Sequence, residues 1–397
     1  MQENDTLFDS LQDRLEGDVL HSELGRALYS SGASLFRIKP LAIVQARSQK
    51  DLVTTMKFAG EHKIPITARG GGTSRAGNEL GRGILIDFSK YLNRMIELNV
   101  EEKWVKVEPG MVLGELNKLL KPHNLYFPID PSTIDSATLG GMIANNSSGP
   151  HAVKYGTTRA HVQGLELVLA NGEIITTGSM HNARNPEETD SRGASLYRDI
   201  PGILQKYEDY LEDERPFTSK NSCGYHVWDL IENGAIDLTP MLVGSEGTLA
   251  LVSQAQLQLS TIPAKVLSGF VYLDDLGKVG EATQEILEEG PSMIEIMEKH
   301  ILDLAREQRP DLAEYFPENT EASLFIEFQE DSDQALLDKF DSVRKRLIND
   351  KQLAVDVVQA QNAQDMKTFT AVRGISGPIL NRMKGPKRPI AFIEDAA

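Results

Sequence analysis

The chain has 397 residues, 40% of them hydrophobic and 25% charged, which is the composition of an ordinary globular protein with room for two or three domains. Its net charge of −17 excludes the basic footprint that nucleic acid or an anionic membrane surface demands. A single cysteine, Cys223, excludes an intrachain disulfide, a thiolate zinc site and an iron–sulfur cluster, and fits a cytoplasmic protein.

Residues 1–30 read as one or two amphipathic helices with an acidic face, without the basic start and apolar core of a signal peptide. "LAIVQA" at 41–46 predicts a strand, and "SQKDLVTTMKFAGEHK" at 48–63 a helix with Ser48 as N-cap. "IPITAR" at 64–69 predicts a second strand, running into "GGGTS" at 70–74, and "GILIDFS" at 83–89 a third. This order predicts a small α/β unit. "KWVKVEPG" at 103–110 alternates like a half-buried strand, and 112–123 reads as a short helix. The stretch 126–162 is rich in Gly, Ser, Thr, Asn and Pro; its length marks it as functional and its apolar "LGGMIA" argues against disorder. "GLELVLANGEIITTG" at 164–178 predicts a hairpin with an Asn-Gly turn. Residues 185–222 are polar and partly helical, and 241–259 return to strand chemistry around a glycine pair. From 263 the pattern becomes strand, helix, strand, helix, with "ASLFIEFQE" at 322–330 as a further strand, which predicts a second, α+β domain.

Several motifs fail on spacing. Gly70 and Gly72 begin a G-x-G-x-x-G fingerprint, but Arg75 stands at its third glycine. There is no P-loop, no H-E-x-x-H and no G-x-S-x-G, and the eight histidines show no metal-ligand spacing, so no metal is expected. Four small-residue loops survive: Gly70–Ser74, "SATLGG" at 136–141, "NNSSG" at 145–149 and "GSEGTL" at 244–249. Consecutive backbone N–H groups in such loops can hold an anion, with Thr73 and Ser74 hydroxyls as extra donors and Arg69 and Arg75 as nearby charge. Four such loops in order suit a long polar ligand, for which a dinucleotide is the natural candidate.

The ordered segments "DLVTTMKFAGEHKIPITARGGGTSRAGN", "VKVEPG", "FPIDPSTIDSATLGGMIANNSSG", "KYGTTRAHVQGLELVLANGE" and "VGSEGTLALV" resemble the FAD-binding module of the vanillyl-alcohol-oxidase and p-cresol-methylhydroxylase-like flavoproteins. Within these the chain is similar to the FAD-linked dehydrogenases of D-lactate, glycolate and D-2-hydroxyglutarate. The fold this implies is α+β. A helical segment at 1–33 precedes a two-subdomain FAD-binding module of the p-cresol-methylhydroxylase type at 34–262, with subdomains at about 34–90 and 91–262. A ferredoxin-like α+β substrate cap domain, incomplete, follows at 263–397.

By the resemblance, Gly70, Gly71, Gly72, Thr73 and Ser74 cradle the FAD pyrophosphate. Pro131, Ser136, Ala137, Thr138, Gly140, Gly141, Asn146 and Gly149 line the flavin and its phosphates. Gly156 and Val162, with Glu246 and Gly247, surround the adenine end and the isoalloxazine wall. "GGGTS" lacks the histidine that some relatives use for covalent attachment, so non-covalent FAD is expected. The implied reaction passes the α-hydrogen of a D-2-hydroxy acid to flavin N5, with the substrate carboxylate held by Arg373 and, more weakly, Lys384. The relatives' histidine-rich motif, source of the general base, lies downstream of "AFIED". The catalytic base is therefore expected beyond Ala397, and no residue of the 397 is assigned that role.

The implied partners are a small 2-hydroxy acid, an electron acceptor (quinone, protein or dye rather than nicotinamide) and an iron–sulfur partner chain. The expected location is cytoplasmic, with the inner face of the membrane as a peripheral second placement. Two alternatives stay open: an FAD-binding subunit or truncated remnant without independent turnover, and another reaction on the same module, such as the enolpyruvyl reductase of cell-wall synthesis. Cys223 reads as a packed or edge residue away from the flavin loops.

Overall fold

The computed structural model describes residues 2–180, 191–218, 220–232, 234–315 and 317–374. They form two units, one of the residues up to Gly149 together with Gly156–Thr261, the other of Pro150–Tyr155 and the chain from Ile262 onward.

The first unit begins with α1 (Gln2–Gln12), β1 (Asp18–Leu20) and α2 (Glu23–Leu28). β2 (Ala42–Gln45), α3 (Gln49–His62), β3 (Ile66–Arg69) and β4 (Ile84–Asp87) follow. The four strands make one sheet in the order β1-β2-β4-β3; β1 pairs with β2 antiparallel, whereas β2 and β3 both run parallel to β4. The sequence reading of residues 1–30 as helix alone is corrected by β1. A three-residue strand has too little periodicity to be read locally, and it exists here because β2 offers an edge. α3 starts where the sequence places it: Ser48 Oγ accepts from the Asp51 N–H. The Asp51 carboxylate in turn accepts from the N–H groups of Glu16, Gly17 and Arg47 at 2.8–2.9 Å and is buried. It ties the start of the chain to the first turn of α3.

Phe8 and Leu11 of α1, Leu52 and Phe58 of α3, and Val44, Ile84 and Ile86 of the sheet share one core with Val168 and Leu251. Each such fully buried side chain contributes about 1.5–3 kcal/mol.

A second sheet is antiparallel throughout. It comprises β5 (Met95–Asn99), β6 (Trp104–Val107), β7 (Val162–Val168), β8 (Ile174–Thr176) and β9 (Leu251–Gln258), in the order β5-β6-β9-β7-β8. β7 and β8 are the expected Asn-Gly hairpin, with Gly172 at φ +79°. β9 buries alternate side chains from Leu251 to Leu257, the period of a strand with one face on a core. β5 has no counterpart in the sequence reading: it is a partly exposed edge strand with little apolar pattern. The Gly-, Ser- and Asn-rich stretch is ordered around α4 (Leu113–Leu120) and α5 (Leu139–Asn145).

The second unit is built on a four-stranded antiparallel sheet of β10 (Lys265–Leu273), β11 (Met293–Glu298), β12 (Ala322–Glu330) and β13 (Asp356–Gln359), in the order β11-β12-β10-β13. That is the strand order of a ferredoxin-like unit. Helices Val279–Leu287 and Asp333–Arg344 cover one face through Ile286, Phe340 and Leu336, which pack on Val271, Leu324 and Phe328. Helices Lys299–Gln308 and Ala363–Arg373 cover the other through Leu302 and Phe369, on Phe270 and Phe325. The segment Pro150–Tyr155 joins this unit by polar contacts. The His151 ring meets Glu327 Oε1 at 2.9 Å, and the Tyr155 hydroxyl and Lys154 ammonium donate to Gln329.

Glu327 is buried and also accepts from Ser292 Oγ at 2.7 Å. Burial pushes its carboxyl up, but the His151 and Ser292 hydrogen bonds, with Gln329, outweigh this and hold it below the ordinary value of 4.5. A carboxyl lowered in the folded state stabilises above its unfolded value, and that contribution is lost as pH falls through the folded value. Glu327→Gln is therefore expected to lower the urea midpoint at about pH 6 and to flatten its decline between about pH 5 and pH 3. Equal acid sensitivity in wild type and variant would contradict the assignment.

Candidate functional site

β3 delivers Arg69 to the sheet's end, and the chain turns at once through Gly70–Gly72. The turn lies against the loop preceding α5. A Cβ on Gly70 would stand 2.0 Å from Thr138 Oγ1, and one on Gly71 would stand 2.0 Å from the Ser136 carbonyl oxygen. Here glycine is required because the turn touches the Thr138 hydroxyl at Gly70 and the Ser136 backbone at Gly71, an approach that leaves no room for a β-carbon. Gly72 then adopts φ +68°, reversing the chain. Among the described residues, the N–H groups of Gly71, Gly72, Thr73 and Ser74 donate to no protein acceptor. Four successive free donors in a turn of mixed handedness make a concavity suited to an anion.

Thr138 caps α5 by accepting from the Gly141 N–H, and Gly140 packs on Pro109, leaving no room for a side chain. At the other end of α5 the chain Gly244–Gly247 returns against it, where the Gly244 N–H donates to Ile143 O and the Glu246 N–H to Ala144 O. Between these pieces lies a narrow cleft. Its lining includes Arg69, Gly70, Thr138, Gly140, Gly141 and Gly247, with Phe88, Pro109, Ile143, Leu242, Ser245 and Val252 as a largely apolar complement. Free backbone donors beside an apolar slot suit a ligand with a charged linker and a flat ring, so the residues present fit FAD.

The other expected residues stand in different relations to the cleft. Ser136 and Ala137 support it: Ala137 is buried, and its carbonyl accepts from the Leu113 N–H. Asn146, in the left-handed C-cap position of α5, holds Arg159 N–H on its Oδ1. Glu246, at φ +53°, shares the strained turn of Gly247. Gly149 packs against Asp130, next to Pro131, and none of the three lines the cleft. Val162 is buried in β7 opposite Leu257, and Gly156 is a left-handed turn; neither lines the cleft either.

Arg69 is more constrained than the sequence suggests. Its guanidinium donates to Ser31 O at 3.0 Å and Tyr29 O at 3.4 Å, and lies 5.4 Å over the Tyr29 ring. The Tyr29 hydroxyl donates to Asp87, and burial, reinforced by this bond, pushes its pKa up to about 12.

In the second unit Arg373 ends the helix Ala363–Arg373 and pairs with Glu295 of β11. Lys384 lies outside the described residues, and so does Ala397, the position beyond which the sequence reading expects the catalytic base. Cys223 is exposed, a correction to the packed reading. Its segment is not remote from the cleft loops, because Asn221 O accepts from Asn146 Nδ2 and the Tyr225 and Thr248 hydroxyls share a 2.8 Å hydrogen bond. The sequence reading missed Arg159, whose neighbours are distant in sequence. It also missed Phe88 and Pro109, which lie in "GILIDFS" and "VKVEPG" without being singled out there.

Gly71→Ala is expected to push the two loops apart and to weaken FAD binding by about tenfold or more, the cost of one or two charge-assisted hydrogen bonds. Gly60→Ala, where a Cβ meets nothing within 4 Å, is expected to leave binding unchanged. Fluorescence titration of the apoproteins with FAD reads both.

Residues 40–178 match the family described as FAD binding domain, and residues 262–397 the family described as FAD linked oxidases, C-terminal domain. The D-2-hydroxyglutarate dehydrogenase of Escherichia coli (strain K12) is 31% identical over 97% of this chain, which spans 39% of that protein's length. The glycolate oxidase subunit GlcD of Bacillus subtilis (strain 168) is 27% identical over 94% of this chain and 68% of its own. The solved structure of an alkyldihydroxyacetonephosphate synthase superposes with a TM-score of 0.64 at 18% identity, over 94% of this chain and 64% of that one. These findings bear out the expected α+β flavoprotein fold and its cofactor, FAD. The chain belongs to the FAD-linked oxidases, joining their FAD binding domain to their C-terminal domain.

Proposed function

We propose that this chain oxidises a D-2-hydroxy acid, of the class of D-lactate, D-2-hydroxyglutarate or glycolate, to the 2-oxo acid. The carrying observation is the row of free N–H groups at Gly71–Ser74 beside the cleft of the first unit. When bound, FAD supplies the acceptor for the substrate's α-hydrogen and its electron pair. Gly70–Ser74 would hold the diphosphate by backbone donors, and Thr138, Gly140 and Gly141 would flank it without bulk. Ile143, Leu242 and Val252 would keep water from the ring. Nothing in the "GGGTS" turn can bond covalently to the ring as a histidine would, which supports non-covalent FAD. Arg373 offers the planar fork that grips a carboxylate in two places. A substrate there would take over the guanidinium from Glu295. The electrons would leave to a quinone, a protein or a dye. Among the described residues no helix is long and apolar enough to cross a membrane.

A second reading is a flavin-binding chain that needs another polypeptide for turnover. Anaerobic addition of D-2-hydroxyglutarate, D-lactate or glycolate to the FAD-loaded protein separates the two. Bleaching of the visible flavin bands by one of these acids, but not by L-lactate, is expected. Bound flavin that stays oxidised with all three would contradict independent turnover and favour the second reading. Rapid NAD⁺ reduction would contradict the proposed acceptor class.

A further inference from the structure

Arg159 is the second residue of the turn Thr158–His161 that leads into β7. Its backbone N–H donates to Asn146 Oδ1 at 2.9 Å. Its guanidinium reaches three carbonyls from two distant segments: Nη2 donates to Val243 O at 2.8 Å, Nε to Pro240 O at 3.1 Å and Nη1 to Asn221 O at 3.4 Å. Asn146 Nδ2 donates to the same Asn221 carbonyl. Gly244, the next residue after Val243, has φ +94°, and a Cβ there would stand 2.9 Å from Arg159 Nη2. The loop is thus drawn onto the guanidinium as closely as glycine permits. From that point Gly244 and Glu246 hydrogen-bond the end of α5, and Leu242, Ser245 and Gly247 line the cleft.

This is an unusual use of a charge. Among the described residues Arg159 pairs with no carboxylate, and burial alone pushes its pKa down, with no acidic neighbour opposing the shift. A half-buried cation without a counter-charge is costly when its only task is packing. Charge-assisted bonds to carbonyls recover part of that cost and give an orientation that a neutral side chain would not.

We propose that Arg159 is a positioning residue for FAD: by holding the carbonyls of Asn221, Pro240 and Val243 it fixes the Val243–Gly247 wall of the cleft, and FAD affinity depends on it. The proposal rests on the reading of this cleft as the FAD site. It concerns a residue that touches the wall and is not itself part of the lining.

Arg159→Met keeps the length of the side chain and removes every donor, whereas Arg159→Lys keeps the charge and can restore one or two of the carbonyl bonds. Apoprotein of each, kept well below its own melting temperature so that the folded fraction is complete, is titrated with FAD by fluorescence, and the visible circular dichroism of the bound flavin is recorded. The expected result is about tenfold or weaker binding with an altered flavin dichroism for Arg159→Met, and intermediate affinity for Arg159→Lys. Binding by Arg159→Met within about twofold of wild type, or Arg159→Lys no better than Arg159→Met, would overturn the proposal. If Arg159→Met does not fold, Arg159→Lys carries the test alone: wild-type affinity and dichroism overturn it, and weaker binding supports it. Wild-type apoprotein that takes up no FAD would instead overturn the reading of the cleft.

Discussion

Everything at the candidate site depends on a glycine turn pressed against the loop that precedes α5, with no room for a β-carbon on Gly70 or Gly71. Gly70 and Gly71 lie so close to Thr138 and Ser136 that any β-carbon would stand about 2 Å from oxygen. That contact brings the end of the first, mixed sheet to the start of α5. Among the described residues it leaves the N–H groups of Gly71–Ser74 without a protein acceptor. Four unpaired N–H groups would be a defect in a core, where buried polar groups must be satisfied. At the surface of a cleft they are suited to an anion.

The rest of the first unit supports this contact. Asp51 gathers three N–H groups and fastens the first twenty residues to α3. Tyr29, Asp87 and Gln45 connect α2 to the two central strands, and Arg69 is braced on the carbonyls next to Tyr29. At the far end of α5, Asn146 and Arg159 do for the Gly244–Gly247 loop what glycine contact does for the Gly70–Gly72 loop. One end of the cleft is held by the absence of side chains, and the other by two polar side chains reaching carbonyls. The second unit has a different physical basis. It is a sheet covered on both faces by helices, with a buried glutamate, Glu327, that recruits Pro150–Tyr155 through His151.

What could be read from the sequence follows from how local each feature is. The helix at Ser48, the Asn-Gly hairpin and the alternation at 251–257 are set by neighbours within a few residues, and they stand where the pattern puts them. The glycine loops were legible as loops, yet the reason for their glycines was only half legible. Approach to a phosphate is a property of the ligand, whereas the approach of Gly71 to Ser136 is a contact across 65 residues of chain. β1 and β5 escaped notice because short edge strands are fixed by their partners rather than by their own period. Arg159 stands within "KYGTTRAHVQGLELVLANGE", but its role could not be read there, since the carbonyls it binds belong to any residue type. Arg373 reads as a free cation in sequence, and its ion pair with Glu295 appears only once β11 lies beside its helix.

The central claim is that the backbone turn at Gly70–Ser74 grips the diphosphate of FAD and that the apolar slot alone does not hold the ring. Calorimetric titration of the apoprotein with FAD and, separately, with riboflavin tests this most directly, because riboflavin has the ring without phosphates. The account predicts that FAD binds at least about a hundredfold more tightly, the worth of two charge-assisted hydrogen bonds. Riboflavin binding as tightly as FAD would contradict it.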